Sequence, residues 1–326
     1  MSEKLLEIKD LRIEYVTEGV AVQAVNGISF SIEAGQSMGL VGETGAGKTT
    51  TALSILRLLP KYTAKVRSGS ITFAGEDIMS LSETEMRKIR GGRVSMIFQD
   101  PMTSLDPVIS VRDQIAEVLL LHKPELTRKT VSEEVGRILE LVGIPASRMN
   151  EYPHQFSGGM KQRVMIAIAI ACNPELLIAD EPTTALDVTI QAQVLSMMRK
   201  LKQDLNSSLL LITHDLGVVA SICDIIGIMY AGEIVEFGTL EDIFDPAKKH
   251  HPYTVGLFGS IPNLTEDTDR LQPIPGLMPD PTNLPQGCNF GPRCPHYDPE
   301  RCGGEIPVAQ KDQHQIKCVR FQDADL

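Results

Sequence analysis

Residues 42–49, Gly42-Glu-Thr-Gly-Ala-Gly47-Lys48-Thr49, fit the pattern G-x-x-x-x-G-K-[ST], and few stretches so short constrain a fold as tightly. The pattern requires a strand before it and a helix after it. Residues 37–41 (Ser-Met-Gly-Leu-Val) form a short apolar run that reads as strand, and residues 48–59 carry helical spacing. In that context the glycines let backbone N–H groups curl around an anion, while the helix N-terminus adds its dipole. Lys48 is then placed to reach the β- and γ-phosphates of a nucleotide, and Thr49 to put its hydroxyl on Mg²⁺. A Gly-rich turn without a ligand is the bland alternative, and the matching flanks weigh against it. The nucleotide-binding set is Gly42, Glu43, Thr44, Gly45, Ala46, Gly47, Lys48, Thr49 and Thr50.

The rest of the chain alternates in the same way. Strand-like pieces recur at residues 5–15, 70–73, 94–98, 176–179, 209–213, 225–229 and 233–237. Helical spacing occupies 111–121, 132–141, 160–171 and 188–205. Strands alternating with helices imply an α/β fold, a parallel sheet with helices on both faces. Residues 107–156 are nearly all helical in pattern, so a helical subdomain is expected at about 103–160. Residues 259–287 hold six prolines, too many for a helix or a central strand, and read as an extended connector. The expected division is a nucleotide-binding domain at 1–258 and a small, irregular, Pro-rich and cysteine-bearing extension at 259–326.

A chain of 326 residues can bury a sizeable core without disulfides or metal. Its 31 Lys and Arg against 42 Asp and Glu leave a net charge of -11, which argues against a protein that wraps nucleic-acid phosphate. The longest apolar run, residues 164–172, falls far short of the ~20 residues of a transmembrane helix. The first residues show no basic stretch followed by an apolar core, so no secretory signal is expected. A cytosolic setting follows, in which the six cysteines serve metal or redox roles in preference to disulfides.

Residues 176–181, Leu-Leu-Ile-Ala-Asp180-Glu181, are an apolar strand that runs into two acids. Burying an unpaired carboxylate is costly, so the pattern asks for a reason. Asp180 at the strand end can hold Mg²⁺ through water, and Glu181 can polarise an attacking water as general base. Two solvated acids in a turn would be the ordinary explanation of the pattern alone. Beside a phosphate-binding loop it becomes the minor one.

Phe156-Ser157-Gly158-Gly159-Met160-Lys-Gln162-Arg163, shortly before that strand, resembles the signature motif of ABC-type ATPases. Gln99, at the end of the strand at 94–98, matches the family's Q-loop. Ala185-Leu186-Asp187 matches the D-loop, His214 the H-loop switch, and Tyr15 the aromatic that stacks on adenine. The resemblance spans residues 1–240 in order and spacing. It implies an antiparallel β lobe beside the P-loop core, Mg²⁺ held by Thr49, Gln99 and Asp180, and catalysis by Glu181, His214 and Gln99. It also implies that Ser157, Gly158 and Gly159 act on ATP held by a second ATPase subunit, since a helix N-terminus there points at the γ-phosphate. The usual signature is Leu-Ser-Gly-Gly-Gln, so Phe156 and Met160 depart from it.

Those departures, the His251-Pro-Tyr-Thr254 segment and the tail residues 275–295 are typical of the D-type ATPases of bacterial dipeptide/oligopeptide importers. The resemblance then covers the whole chain. It implies a heterodimer with a second ATPase, two permease subunits and an extracytoplasmic peptide-binding protein, with the chain peripheral on the cytoplasmic face of the membrane. Within the subfamily the solute could instead be a nickel complex or glutathione. A DNA-repair ABC ATPase is opposed by the charge, and an ATPase of iron–sulfur assembly leaves the His-Pro-Tyr-Thr segment unexplained.

Cys288, Cys294, Cys302 and Cys318 are separated by 5, 7 and 15 residues. Four thiolates can ligate a [4Fe–4S] cluster or zinc, and spacing leaves both open, together with free thiols. The resemblance implies the cluster. The four lie outside the nucleotide motifs, so a structural role is expected, with nucleotide binding independent of them. Cys172 and Cys223 sit in apolar contexts and read as buried small hydrophobes.

Overall fold

A computed structural model describes residues 4–99, 104–184, 186–260 and 273–323. Residue 103, Ala185 of the D-loop match and residues 261–272 of the connector lie outside the described residues. In chain order the elements begin with β1 (Lys4–Thr17), β2 (Val20–Glu33), β3 (Ser37–Val41), α1 (Lys48–Ile55), β4 (Ala64–Phe73), β5 (Glu76–Asp77), α2 (Glu83–Ile89) and β6 (Val94–Ile97). Next come α3 (Val111–His122), α4 (Arg128–Leu141), α5 (Gly158–Ile170), β7 (Leu176–Asp180), α6 (Val188–Leu205), β8 (Ser208–Thr213) and α7 (Leu216–Ile222). The chain continues with β9 (Ile225–Tyr230), β10 (Glu233–Thr239), α8 (Leu240–Phe244), α9 (Pro252–Gly259), α10 (Pro299–Cys302), β11 (Val308–Lys311) and β12 (His314–Lys317).

Two compact units result. One holds Met1–Leu5, Ile32–Ser37 and Phe73–Cys223; the other holds Leu6–Ser31, Met38–Thr72 and Asp224–Leu326. In the first, β6, β7 and β8 pair in parallel, Val94 opposite Leu176 and Leu176 opposite Ser208. Every residue of β7 and β8 is buried, as strands covered on both faces must be. The helical segment follows from amphipathic spacing and caps. Ser110 caps α3 through the Asp113 N–H, and Thr127 caps α4 in a reciprocal arrangement with Thr130. Helix α4 starts four residues before the position that apolar spacing alone suggests, because this polar cap extends it. Asp187 caps α6, and Asn206 ends that helix in a left-handed conformation.

In the second unit β1 and β2 form a hairpin through Glu18 and Gly19, both at positive φ, the two-residue turn whose twist suits paired strands. β4 lies on the other side of β1. A second sheet runs β11-β12-β10-β9-β3, parallel only between β3 and β9. The tail, expected as irregular, therefore closes with a hairpin that adds to the sheet bearing the phosphate loop. Its strands are four residues each with Ala309 and Ile316 as the inward positions, too short to show an alternating pattern. Among the described residues no helix is long and apolar enough to cross a membrane.

A buried carboxylate holds that hairpin in place. Glu236 on β10 pairs in register with Ile316, and its Oε1 lies 2.8 Å from His250 Nδ1 and 3.1 Å from His314 Nε2. Its Oε2 accepts the His251 N–H at 2.8 Å. His250 Nε2 faces the Asp245 carbonyl at 2.9 Å, so both of its ring nitrogens meet acceptors and the ring carries both protons. Burial pulls the His250 pKa down, but the hydrogen bond to Glu236 and its charge outweigh burial and raise it above the ordinary value. Burial pushes Glu236 up, but the bonds from His250 and His314 hold it below the usual carboxylate range. The His250 contribution is complete below its unfolded pKa and is lost as pH rises through the raised folded value. His250→Gln should thus lower stability by about 2–3 kcal/mol near pH 6. The gap to wild type should close as pH rises above about 6.5 and through the raised folded value. Denaturant midpoints across that range measure it, and a gap that widens with pH would contradict the charge assignment.

Candidate active site

The phosphate loop sits in the second unit, where β3, buried along its whole length, delivers the chain to Gly42 and α1 leaves from Gly47. Gly47 has φ 101 and carries the helix N-cap. A Cβ there would strike the Ala24 carbonyl oxygen, and one at Gly42 would strike that of Met229. These are close backbone approaches that only glycine permits. Lys48 is buried, its Nζ donating to the Gly42 and Glu43 carbonyls at 2.6 and 3.0 Å. Thr44, Gly45 and Thr49 are exposed, while Ala46 is buried and donates its N–H to the Glu43 carbonyl. The Ala46 carbonyl accepts the Gly232 N–H at 2.9 Å, which joins the loop to the β9–β10 turn. Tyr15 is half-buried, its hydroxyl 3.2 Å from that of Thr50, so the adenine candidate stands beside the phosphate-loop helix.

Two further residues grip this loop. Tyr253 of α9 accepts the Glu43 N–H at 3.0 Å, and Arg293 of the tail makes a two-point ion pair with the Glu43 carboxylate at 2.7 and 3.1 Å. The sequence reading places both in segments typical of the subfamily and gives neither a role at the site. Glu43 and Arg293 are 250 positions apart, and nothing in their spacing points from one to the other. Arg293 lies directly before Cys294 in the chain, so the segment that carries the cysteines also reaches the phosphate loop.

The first unit holds the other motifs. β7 ends in Asp180, which is buried, and Glu181 then turns the chain at φ 46 with its N–H on the Ile212 carbonyl. The Glu181 carboxylate gathers three neighbours. Gln99 Nε2 donates to Oε2 at 3.0 Å, the Thr184 hydroxyl donates to the same oxygen at 2.9 Å, and His214 Nδ1 lies 3.2 Å from Oε1. Gln99, Glu181 and His214 are thereby brought together, and Thr184 is an addition from the turn after the strand. The signature Ser157 caps α5, accepting the Met160 N–H at 3.4 Å, and Ser157 and Gly158 are exposed. A Cβ at Gly159 would meet the Ile190 side chain of α6. Asp187 is exposed and caps α6 through the Ile190 N–H at 2.9 Å.

Cys288, Cys294, Cys302 and Cys318 line one cleft with His251, Phe290 and Tyr297. All four are free thiols. Each of Cys288, Cys294 and Cys318 receives the backbone N–H two residues on, from Phe290, His296 and Arg320. Burial nevertheless pushes the Cys288 thiol up to about 11 and raises Cys294 and Cys318. A bound cation would invert that balance, because a coordinating thiol is deprotonated. Among the described residues, Glu236, His250 and His314 are the one group of three or more potential ligand atoms within 4.8 Å of one another. Cys223 is buried and Cys172 is half-buried, its Sγ directed at the Val118 carbonyl.

A P-loop on a parallel strand, a carboxylate held at a strand end and a capped Ser-Gly-Gly helix define an ATP-binding cassette. The comparisons agree. A family profile described as "ABC transporter" matches residues 25–184, and one described as "Oligopeptide/dipeptide transporter, C-terminal region" matches residues 235–302. The dipeptide transport ATP-binding protein DppD of Bacillus subtilis is 48% identical over 97% of this chain and 94% of its own length. The oligopeptide transport ATP-binding protein OppD of Escherichia coli is 48% identical over 95% and 90%. The solved dimer of the ATP-binding cassette MJ0796 with ADP and Pi matches with a TM-score of 0.65 at 24% identity, over 72% of this chain and 98% of that one. The cassette cbiO1 from Clostridium perfringens matches at 0.64 and 25%, over 75% and 92%. The chain belongs to the ATP-binding subunits of the oligopeptide/dipeptide branch of the ABC transporter family.

The backbone approach at Gly42 gives a direct check. Gly42→Ala must displace either the loop or the Met229 carbonyl, at a cost of about 1–3 kcal/mol, and should weaken nucleotide binding as well. Denaturant midpoint and nucleotide titration on the same preparation measure both, and an unchanged midpoint would show that the loop has room.

Proposed function

We propose that this chain binds and hydrolyses ATP to energise uptake of di- or oligopeptides through separate membrane permeases. The observation that carries the reading is full-length similarity, tail included, to proteins named for dipeptide and oligopeptide transport. Such an ATPase works as a heterodimer with a second ATPase, peripheral on the cytoplasmic face, under two permease subunits supplied by an extracytoplasmic peptide-binding protein. Peptide should stimulate hydrolysis by the assembled complex. Stimulation by a nickel complex or glutathione, and not by peptide, would move the substrate while keeping the ATPase.

Catalysis in this reading is positioning and electrostatics. Lys48 and the loop amides from Gly42 to Thr50 hold the phosphates, and Tyr15 stacks on adenine. Thr49, Gln99 and Asp180 would hold Mg²⁺, which neutralises phosphate charge when bound. Glu181 accepts the proton of the attacking water, and its three neighbours aim it. His214 contacts the γ-phosphate. Ser157, Gly158 and Gly159 cap the ATP of the second subunit, and Asp187 lies on the shared face. Glu181→Gln keeps the shape of the side chain and accepts a proton poorly. It should slow hydrolysis by ~10²–10⁴-fold with ATP binding intact. Wild-type turnover in the assembled complex would remove Glu181 from the mechanism.

For the cysteine cleft the reading is a [4Fe–4S] cluster with zinc as the alternative, since four thiolates can ligate either, and what favours the cluster is the resemblance to the peptide-importer ATPases. The N–H groups aimed at three of the sulfurs would stabilise thiolate charge. Cys288, Cys294, Cys302 and Cys318 would be its ligands, and the group would tie the tail into one shape. Anaerobically purified protein should be brown, and Ser at any of the four should bleach it, whereas Ser at Cys172 or Cys223 should not. Colourless protein with one zinc per chain would decide for zinc.

A further inference from the structure

Glu43 is an awkward residue to find in a loop that receives phosphate, because its carboxylate repels the anion the loop is built to hold. Within its unit the structure answers this charge from one place. Arg293 is buried, and all five of its N–H donors have acceptors. Nη1 reaches Glu43 Oε2 at 2.7 Å and the Tyr230 hydroxyl at 3.4 Å, and Nη2 reaches Glu43 Oε1 at 3.1 Å and the Ile274 carbonyl at 3.4 Å. Nε donates to the Pro275 carbonyl at 2.9 Å. The guanidinium is therefore locked before it meets Glu43, which makes the pair a fixed two-point clamp.

A second route reaches the same residue. Phe290, whose N–H is directed at the Cys288 thiol, packs against Tyr253 and Tyr230 with ring centroids 5.5 and 5.2 Å away. Tyr253 in turn accepts the Glu43 N–H. The tail segment from Cys288 to Cys294 thus holds the carboxylate of one loop residue directly, through Arg293, and packs Phe290 against the tyrosine that holds its amide. The apolar wall supplied by these rings lowers the local dielectric, which strengthens the ion pair and makes an unpaired Glu43 expensive.

We propose that Arg293 is a positioning residue of the phosphate loop: by neutralising and orienting Glu43 it sets the loop to accept ATP. It thereby makes the cysteine segment a control point for nucleotide affinity. The inference rests on ATP binding by this loop, and what occupies the cysteine cleft does not enter it. If Arg293 were lost, Glu43 would present its charge to the β- and γ-phosphates. If Glu43 were neutral, Arg293 would have nothing to cancel.

The test is a double-mutant cycle on the full chain, read as the ATP dissociation constant at low and high salt. Arg293→Met should raise that constant about tenfold at low salt, and less at high salt as the exposed carboxylate is screened. Arg293→Lys, which keeps charge and loses the two-point grip, should fall between. Glu43→Gln with Arg293→Met should bind ATP within about twofold of Glu43→Gln alone. Equal thiol alkylation of the six cysteines in each variant shows that the tail remains folded. ATP affinity unchanged in Arg293→Met overturns the proposal. So does a tenfold loss that persists in the Glu43→Gln background, since Arg293 would then act only by holding the tail. A wild-type chain that binds no ATP overturns the nucleotide reading itself.

Discussion

The phosphate loop is wedged between two backbone carbonyls, that of Ala24 on β2 against Gly47 and that of Met229 on β9 against Gly42. Neither position has room for a Cβ, so the loop's path is set by how closely two strands approach it. The β9–β10 turn completes the frame. Gly232 donates its N–H to Ala46, Asn26 donates its own N–H to the Gly232 carbonyl at 2.7 Å, and Asn26 Nδ2 reaches the Ala231 carbonyl at 2.8 Å. Asn289 of the tail reaches that same carbonyl at 3.5 Å. A loop that must present its amides to an anion cannot rely on its own short side chains for shape. Here the shape is imposed by strands that come from both ends of the chain.

The parts of this arrangement that were legible are those written in contiguous residues. The glycine spacing marks the loop, the apolar run into Asp180 and Glu181 marks the buried strand end, and Ser157 marks a helix start. The grouping of Gln99, His214 and Glu181 was legible only through resemblance, because each alone is an ordinary polar residue at a strand end. Arg293, Tyr253 and Thr184 were not legible. Their roles arise from three-dimensional neighbours, and an arginine in a Pro- and Cys-rich segment carries no periodic signal. The hairpin β11–β12 escaped for a related reason: its strands are shorter than the windows in which alternation can be recognised.

The departures from the usual signature have a packing explanation in their own unit. Arg148 stacks over the Phe156 ring with its guanidinium 4.5 Å from the centroid, and its Nη1 approaches Met160 Sδ at 3.2 Å. It is also clamped by Glu151, through Nη2 at 2.6 Å and Nε at 2.9 Å. The two residues that flank Ser157-Gly-Gly thus share one cation, which joins the segment before α5 to its first turn. Leu and Gln at those places would offer Arg148 neither a ring face nor a soft sulfur. The exposed Ser157 and Gly158 are left unencumbered by this arrangement, which acts on the residues either side of them.

The tail contributes few large apolar side chains of its own, chiefly Phe290, Ile306 and Ile316. Its attachment to the core strands is made instead by two ionic centres, the buried Glu236 with His250 and His314, and the buried Arg293 with a half-buried Glu43. Pairs of this kind add little net stability over apolar packing, because desolvation offsets attraction. Breaking one is costly all the same, since a charge held away from water then loses part of its compensation. A tail held this way is fixed less by strength than by register: a slip of β12 along β10 would take His314 from Glu236, and a shift of the cysteine loop would take Arg293 from Glu43. That property suits a segment whose position must be reported to the phosphate loop, because an apolar contact tolerates small displacements and a two-point ion pair does not.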